Sequence, residues 1–118
     1  MAQRGKPGQS KPSDDGADGL KLEFAWDPVK AASNLSKHGV AFDQGATVFA
    51  DALALTVFDG EHSGLEERWF TLGTSSAGKL LAVSHTYAAT GPASAQVRII
   101  SAREATRNER RQYEDEPR

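Results

Sequence analysis

Residues 68–87 read Arg-Trp-Phe-Thr-Leu-Gly-Thr-Ser-Ser-Ala-Gly-Lys-Leu-Leu-Ala-Val-Ser-His-Thr-Tyr. Two apolar, β-prone runs, 68–73 and 80–87, flank a small-residue stretch, Thr74-Ser-Ser-Ala-Gly-Lys79, and the arrangement predicts a β-hairpin. Immediately upstream, Leu53-Ala-Leu-Thr-Val-Phe58 predicts another strand, and Asp59-Gly-Glu-His-Ser-Gly64 supplies the turn formers of a loop. Downstream, residues 88–95 are small and contain Gly and Pro, which predicts a flexible hairpin loop before a last strand, Gln96-Val-Arg-Ile-Ile100. Four strands in succession with short connections make an antiparallel sheet that needs helices packed on it.

The flanking segments supply those helices. Leu20, Leu22, Phe24 and Trp26 alternate with Lys21, Glu23 and Ala25, the period-2 pattern of a half-buried strand. Asp27-Pro28 reads as an N-cap and first helical position, and Gly39 after Lys37-His38 as a stop, so residues 28–38 are expected to be helical. On that helix Lys30, Asn34, Lys37 and His38 fall at i, i+4, i+7 and i+8 and share one polar, cationic face. Asp43 is positioned to cap a second, weaker helix ending near Asp51, because Phe42, Ala46 and Phe49 recur at helical spacing. The final strand is expected to run into a helix over residues 102–113, with Arg103, Arg107, Arg110 and Arg111 along one face. The expected order is β-α-α-β-β-β-β-α, an α+β fold with an antiparallel sheet of about four to five strands.

The chain has 118 residues, 14 Lys+Arg, 16 Asp+Glu and no Cys. Residues 1–19 hold four Gly, two Pro, three basic and three acidic residues but no aliphatic side chain larger than Ala after Met1, which predicts a disordered tail. That leaves 20–118 as one domain. Lack of cysteine excludes a disulfide framework, a thiolate zinc site and a cysteine nucleophile. No apolar run approaches the about 18 residues of a membrane span, and the N-terminus lacks the apolar core of a secretory signal, so a cytoplasmic protein is expected. A net charge of −2 argues against bulk coating of nucleic acid. Residues 20–113 are nonetheless neutral, because Glu114, Asp115 and Glu116 carry the acidic surplus, and a local cationic site stays open.

Several side chains could carry chemistry. Arg98 lies within the last strand between Val97 and Ile99 and points to the face opposite them. Arg68 opens an earlier strand after Glu66-Glu67, and Arg103 follows the last one; if the three converge they could hold a phosphodiester and stabilise its transition state. Imidazole is the side chain that most readily moves a proton near neutral pH, which draws attention to His38 at a helix end and His85 at a strand end. His62, in a polar loop, is expected to be solvent-exposed. Asp59, Glu61 and His62 lack any recognised metal-ligand spacing. Asp59, His62 and Ser63 contain the residue types of a hydrolase triad, but neighbours in one loop do not readily form its chain of hydrogen bonds. No Gly-rich phosphate loop is present.

Together, Phe24-Ala-Trp-Asp-Pro-Val-Lys30, Asn34-Leu-Ser-Lys-His-Gly-Val40, Ala46-Thr-Val-Phe49, Glu66-Glu-Arg-Trp69, His85-Thr86 and Val97-Arg-Ile-Ile-Ser-Ala-Arg103 resemble the BrnT family of bacterial type II toxins over about residues 22–113. The resemblance implies a RelE-like α+β fold and ribonuclease activity that arrests translation. It also implies neutralisation by a BrnA-like antitoxin whose ribbon-helix-helix domain binds DNA, so that DNA is reached only through the antitoxin. Carried onto this chain, the motifs imply a catalytic set of His38, Glu67, Arg68, His85, Arg98 and Arg103. Lys30, Lys37, Arg107, Arg110 and Arg111 are expected to contact RNA. No metal or other cofactor is expected, since a base, an acid and cations suffice to cleave RNA through its own 2′-hydroxyl. The competing reading is a non-enzymatic binding module, or a degenerate toxin serving as co-repressor.

Overall fold

The computed structural model describes residues 20–117, and the tail expected over 1–19 lies outside them. The elements are β1 (Lys21–Ala25), α1 (Pro28–His38), α2 (Phe42–Thr47) with a 3-10 turn at Val48–Ala50, β2 (Leu55–Phe58), a 3-10 turn at Gly60–His62, β3 (Trp69–Thr74), β4 (Leu80–His85), β5 (Ala88–Gly91), β6 (Ser94–Glu104) and α3 (Arg107–Asp115).

The hairpin read from residues 68–87 forms as β3 and β4, with Trp69 opposite His85 and Thr74 opposite Leu80. Its turn closes through Ser75 N–H to the Lys79 carbonyl at 2.8 Å, with Gly78 at φ 81°, where glycine carries no Cβ penalty. β2 adds on the far side of β3, and the sheet order is β1-β6-β4-β3-β2.

Five sequence expectations change, and the sheet has six strands instead of about four to five. Residues 88–95 are an ordered hairpin rather than a flexible loop, because β5 pairs with β6 and continues β4 past a register shift between Ser84 and His85. All four residues of β5 are exposed, so they carry no apolar alternation for a pattern to reveal. The sheet is mixed, since β1 runs parallel to β6, from Lys21 opposite Ser94 to Ala25 opposite Arg98. The last strand extends to Glu104, and Arg103 belongs to it rather than to the terminal helix. α3 starts only after Thr106, whose hydroxyl accepts from Glu109 N–H at 3.1 Å while Glu109 Oε1 accepts from Thr106 N–H at 2.9 Å, a complete capping box.

The fourth concerns α1. Its ends are as expected: Asp27 Oδ1 accepts from Val29 N–H at 2.8 Å, and Gly39 adopts φ 71°. Asn34, however, does not share an outward face with Lys30, Lys37 and His38. It is 6% exposed and turned into the sheet. α2 is also shorter than expected and starts at Phe42, ahead of Asp43, before tightening into the 3-10 turn.

Val40, Phe42, Val48, Leu81, Val83, Val97, Ile99 and Ala102 form the core, flanked by Phe24, Trp26, Ala31, Ala46 and Phe49. Packing is close where the turn after α2 meets β3, and a Cβ added to Gly73 would lie 2.9 Å from both Val48 Cβ and the Val48 carbonyl oxygen. Gly73→Ala is therefore expected to lower stability by about 1–3 kcal/mol through overpacking, read as a reduced urea midpoint at unchanged slope.

Candidate active site

The loop between β2 and β3 is pinned at its base. Asp59 N–H donates to the Arg68 carbonyl at 2.8 Å, and the Ser63 hydroxyl donates to the Asp59 carbonyl at 2.7 Å while accepting from Arg68 N–H at 2.9 Å. This holds Arg68 at the mouth of β3 and presents Glu66 and Glu67 beside it.

Across the sheet, the alternation of β6 buries Val97 and Ile99 and turns Arg98 outward. Arg98 Nη2 donates to Glu66 Oε1 at 2.6 Å. The side chains are 45% and 48% exposed, so the pair stands open to solvent. The hydrogen bond from Arg98, assisted by the charges of Arg98 and Arg68, holds the Glu66 carboxyl below its usual range. Arg98 thus bonds this carboxylate directly, while Arg68, two residues along the chain, acts on it only through its charge.

Arg103 does not join them. It lies five positions further along β6, about 16 Å of strand, and grips Glu109 with both nitrogens, Nη1 to Oε1 at 2.7 Å and Nη2 to Oε2 at 2.9 Å. That fork holds the Glu109 carboxyl low and fastens α3 to the sheet.

His85 is placed apart as well. It is 1% exposed on the core side, its ring edge-on to Phe49 with centroids 4.9 Å apart. Nδ1 lies 3.0 Å from the Thr86 carbonyl, which can only accept, so Nδ1 carries the proton and Nε2 accepts from the Thr71 hydroxyl at 2.8 Å. Thr71 is bonded in turn to Thr56 at 2.8 Å. Burial pushes the His85 pKa down. The unfolded chain therefore binds a proton at an ordinary histidine pKa of about 6.5 where the folded chain does not. The stability His85 contributes is complete above that pH and is lost as pH falls through the lower folded-state value. Urea midpoints at pH 7.5 and 5 are expected to differ more for the wild type than for His85→Gln.

His38 is exposed at the end of α1, with Lys30 and Lys37 exposed along the same helix. Arg107, Arg110 and Arg111 are exposed on α3, where Arg110 lies 3.9 Å from Glu114 and Arg111 borders a groove of about 530 Å³ floored by Leu55 and Val57. The structure thus bonds Arg98 to Glu66 on the loop that also carries Glu67 and Arg68, while His38 ends α1, His85 is buried and Arg103 is tied to Glu109. It adds Glu66, whose partner Arg98 is 32 residues away and invisible to local pattern. It also pairs Asp59 with His62 at 2.9 Å, two residues that the sequence places together only in a metal-ligand pattern and a triad pattern, neither with the required spacing.

The chain is thus an α+β domain with a solvent-open Arg98–Glu66 pair, and guanidinium is a group that binds phosphate as well as carboxylate. Residues 26–109 match the family model described as ribonuclease toxin, BrnT, of type II toxin-antitoxin system, and the chain belongs to that family. It is accordingly a ribonuclease toxin with RNA as substrate and an antitoxin as partner. The crystal structure of the Brucella abortus ribonuclease toxin BrnT shares the fold at a TM-score of 0.51 and 19% identity, covering 74% of this chain and 100% of that one. No curated protein matches the sequence. Among the described residues, no helix is long and apolar enough to cross a membrane.

Proposed function

We propose that the chain is an endoribonuclease that arrests translation in the cytoplasm by cleaving RNA without a metal, with Arg68 and Arg98 as the phosphate grip. The observation that carries this reading is the Arg98–Glu66 ion pair on the loop that also presents Arg68, because a carboxylate bound by guanidinium marks where a phosphate oxygen would sit. An incoming phosphodiester takes the Glu66 place on Arg98. Released from its donor, the Glu66 carboxylate regains ordinary basicity next to the scissile group and accepts the proton of the 2′-hydroxyl, and Glu67 lies one residue away to contact the RNA. Charge building on the phosphate oxygens is met by the two guanidinium groups, which do the work a metal ion would otherwise do.

Arg103 and His85 support the site from a distance in this reading, one by fixing α3 and the other by bonding β3 to β4. Lys30, Lys37, His38, Arg107, Arg110 and Arg111 offer exposed positive or polar contacts for flanking RNA. Neutralisation would come from a BrnA-like ribbon-helix-helix antitoxin that links the toxin to DNA. Primer extension on cellular RNA after expression of this chain alone should show discrete cuts. The purified full-length chain should cut RNA in EDTA, leaving 2′,3′-cyclic phosphate ends. Cleavage abolished by EDTA and restored by magnesium would overturn the metal-free reading, and intact RNA would overturn the activity.

A further inference from the structure

We infer that His62, oriented by Asp59, is the general acid that protonates the leaving 5′-oxygen at the Arg68–Arg98 site. This rests on the ribonuclease reading above. His62 Nδ1–H donates to Asp59 Oδ2 at 2.9 Å, and Asp59 Oδ1 accepts from the His62 backbone N–H at 3.3 Å, so one carboxylate fixes both the ring and the turn that carries it. With Nδ1 committed to Asp59, Nε2 is left as the working nitrogen. The His62 side chain is 64% exposed and Asp59 only 20%, the arrangement of a reactive imidazole on a sheltered orienting group.

The dyad belongs to the same pinned loop as Arg68 and Glu66. Ser63, next in the chain to His62, holds the backbone N–H of Arg68 at 2.9 Å, and Glu66 reaches Arg98 from that loop. Ser63 is occupied with these backbone groups and takes no nucleophile role. Of the other imidazoles, His85 is walled in by Thr71, Thr86 and Phe49, and His38 lies on α1 rather than on this loop.

The step balances without a co-reactant. Glu66 takes the 2′-hydroxyl proton as the 2′-oxygen bonds to phosphorus, the bond from phosphorus to the 5′-oxygen breaks, and that oxygen receives the Nε2 proton of His62. The products are a 2′,3′-cyclic phosphate and a 5′-hydroxyl, and the protein groups exchange their protons with water. Asp59 is a positioning residue that acts through His62.

A pair of substrates separates this role from others: an RNA with its natural 5′-oxygen, and the same RNA carrying a single 5′-bridging sulfur, whose thiolate leaves without an acid. His62→Ala in the full-length chain should cut the natural linkage about a hundredfold more slowly yet cut the sulfur linkage within a few-fold of wild type. Asp59→Asn should show the same split in weaker form. His62→Ala losing equally on both substrates, or cutting the natural linkage at the wild-type rate, would overturn the inference while leaving the ribonuclease reading intact. Arg98→Ala should lose on both substrates. A wild-type chain that cuts neither would bring down that reading and this inference together.

Discussion

Arg98→Ala is expected to cleave RNA about 10²–10³-fold more slowly than the wild type and to lose growth arrest when expressed without antitoxin, while folding normally. The two halves of that expectation have separate causes. If Arg98 grips the phosphate as proposed, removing its guanidinium takes away a donor to the oxygens where charge builds in the transition state, and Arg103 on β6 does not replace it because it is clamped to Glu109. The fold is spared because the side chain stands on the solvent face of β6 and its ion pair with Glu66 is half exposed, a setting in which pairs contribute little. Arg98→Lys keeps a charge but not the planar fork and should recover only part of the rate. Growth arrest by Arg98→Ala at the wild-type level, in a variant with unchanged circular dichroism and urea midpoint, would remove Arg98 from the site.

The outward direction of Arg98 is legible in the chain because Val97 and Ile99 bracket it, and the β3–β4 hairpin is legible for the same reason, an apolar pattern matched to a period. Its partner is not, since Glu66 meets Arg98 only after β6 has paired with β4 and β4 with β3. The length of β6 is hidden differently. Ser101-Ala-Arg-Glu104 suits a helix as well as a strand, and only pairing with β4, Ala82 opposite Arg103 and Leu81 opposite Glu104, holds it extended. The Thr106-x-x-Glu109 capping box is present in the sequence as the competing signal for where α3 begins. His62 escapes pattern reading because a polar loop gives no period, and what distinguishes it is a single oriented contact with Asp59.

Asn34→Leu is expected to lower stability by about 3–5 kcal/mol, with a fall in Tm of roughly 12–20 °C. Helical spacing alone assigns Asn34 to a polar outer face, but its amide bridges α1 to the backbone of β6. Nδ2 donates to the Val40 carbonyl at 2.9 Å and to the Ala102 carbonyl at 2.8 Å, and Oδ1 accepts from Ala102 N–H at 3.1 Å. The reason lies in the sheet. β1 pairs with β6 only as far as Arg98, so at Ala102 the same strand offers a donor and an acceptor to the protein interior with no neighbouring strand to meet them. The amide supplies both, as another strand would. Leucine fills a similar volume but leaves one N–H and two carbonyls buried without partners, and the penalty for stranded polar groups exceeds any gain from an added apolar contact. Asn34→Asp separates this account from simple packing: it keeps the acceptor for Ala102 N–H but turns a carboxylate oxygen toward two carbonyls, so it should destabilise as strongly at pH 7 and less at pH 4, where a protonated carboxyl can donate again. Equal stability of Asn34→Leu and the wild type in urea would mean that α1 is held to β6 by its apolar contacts alone.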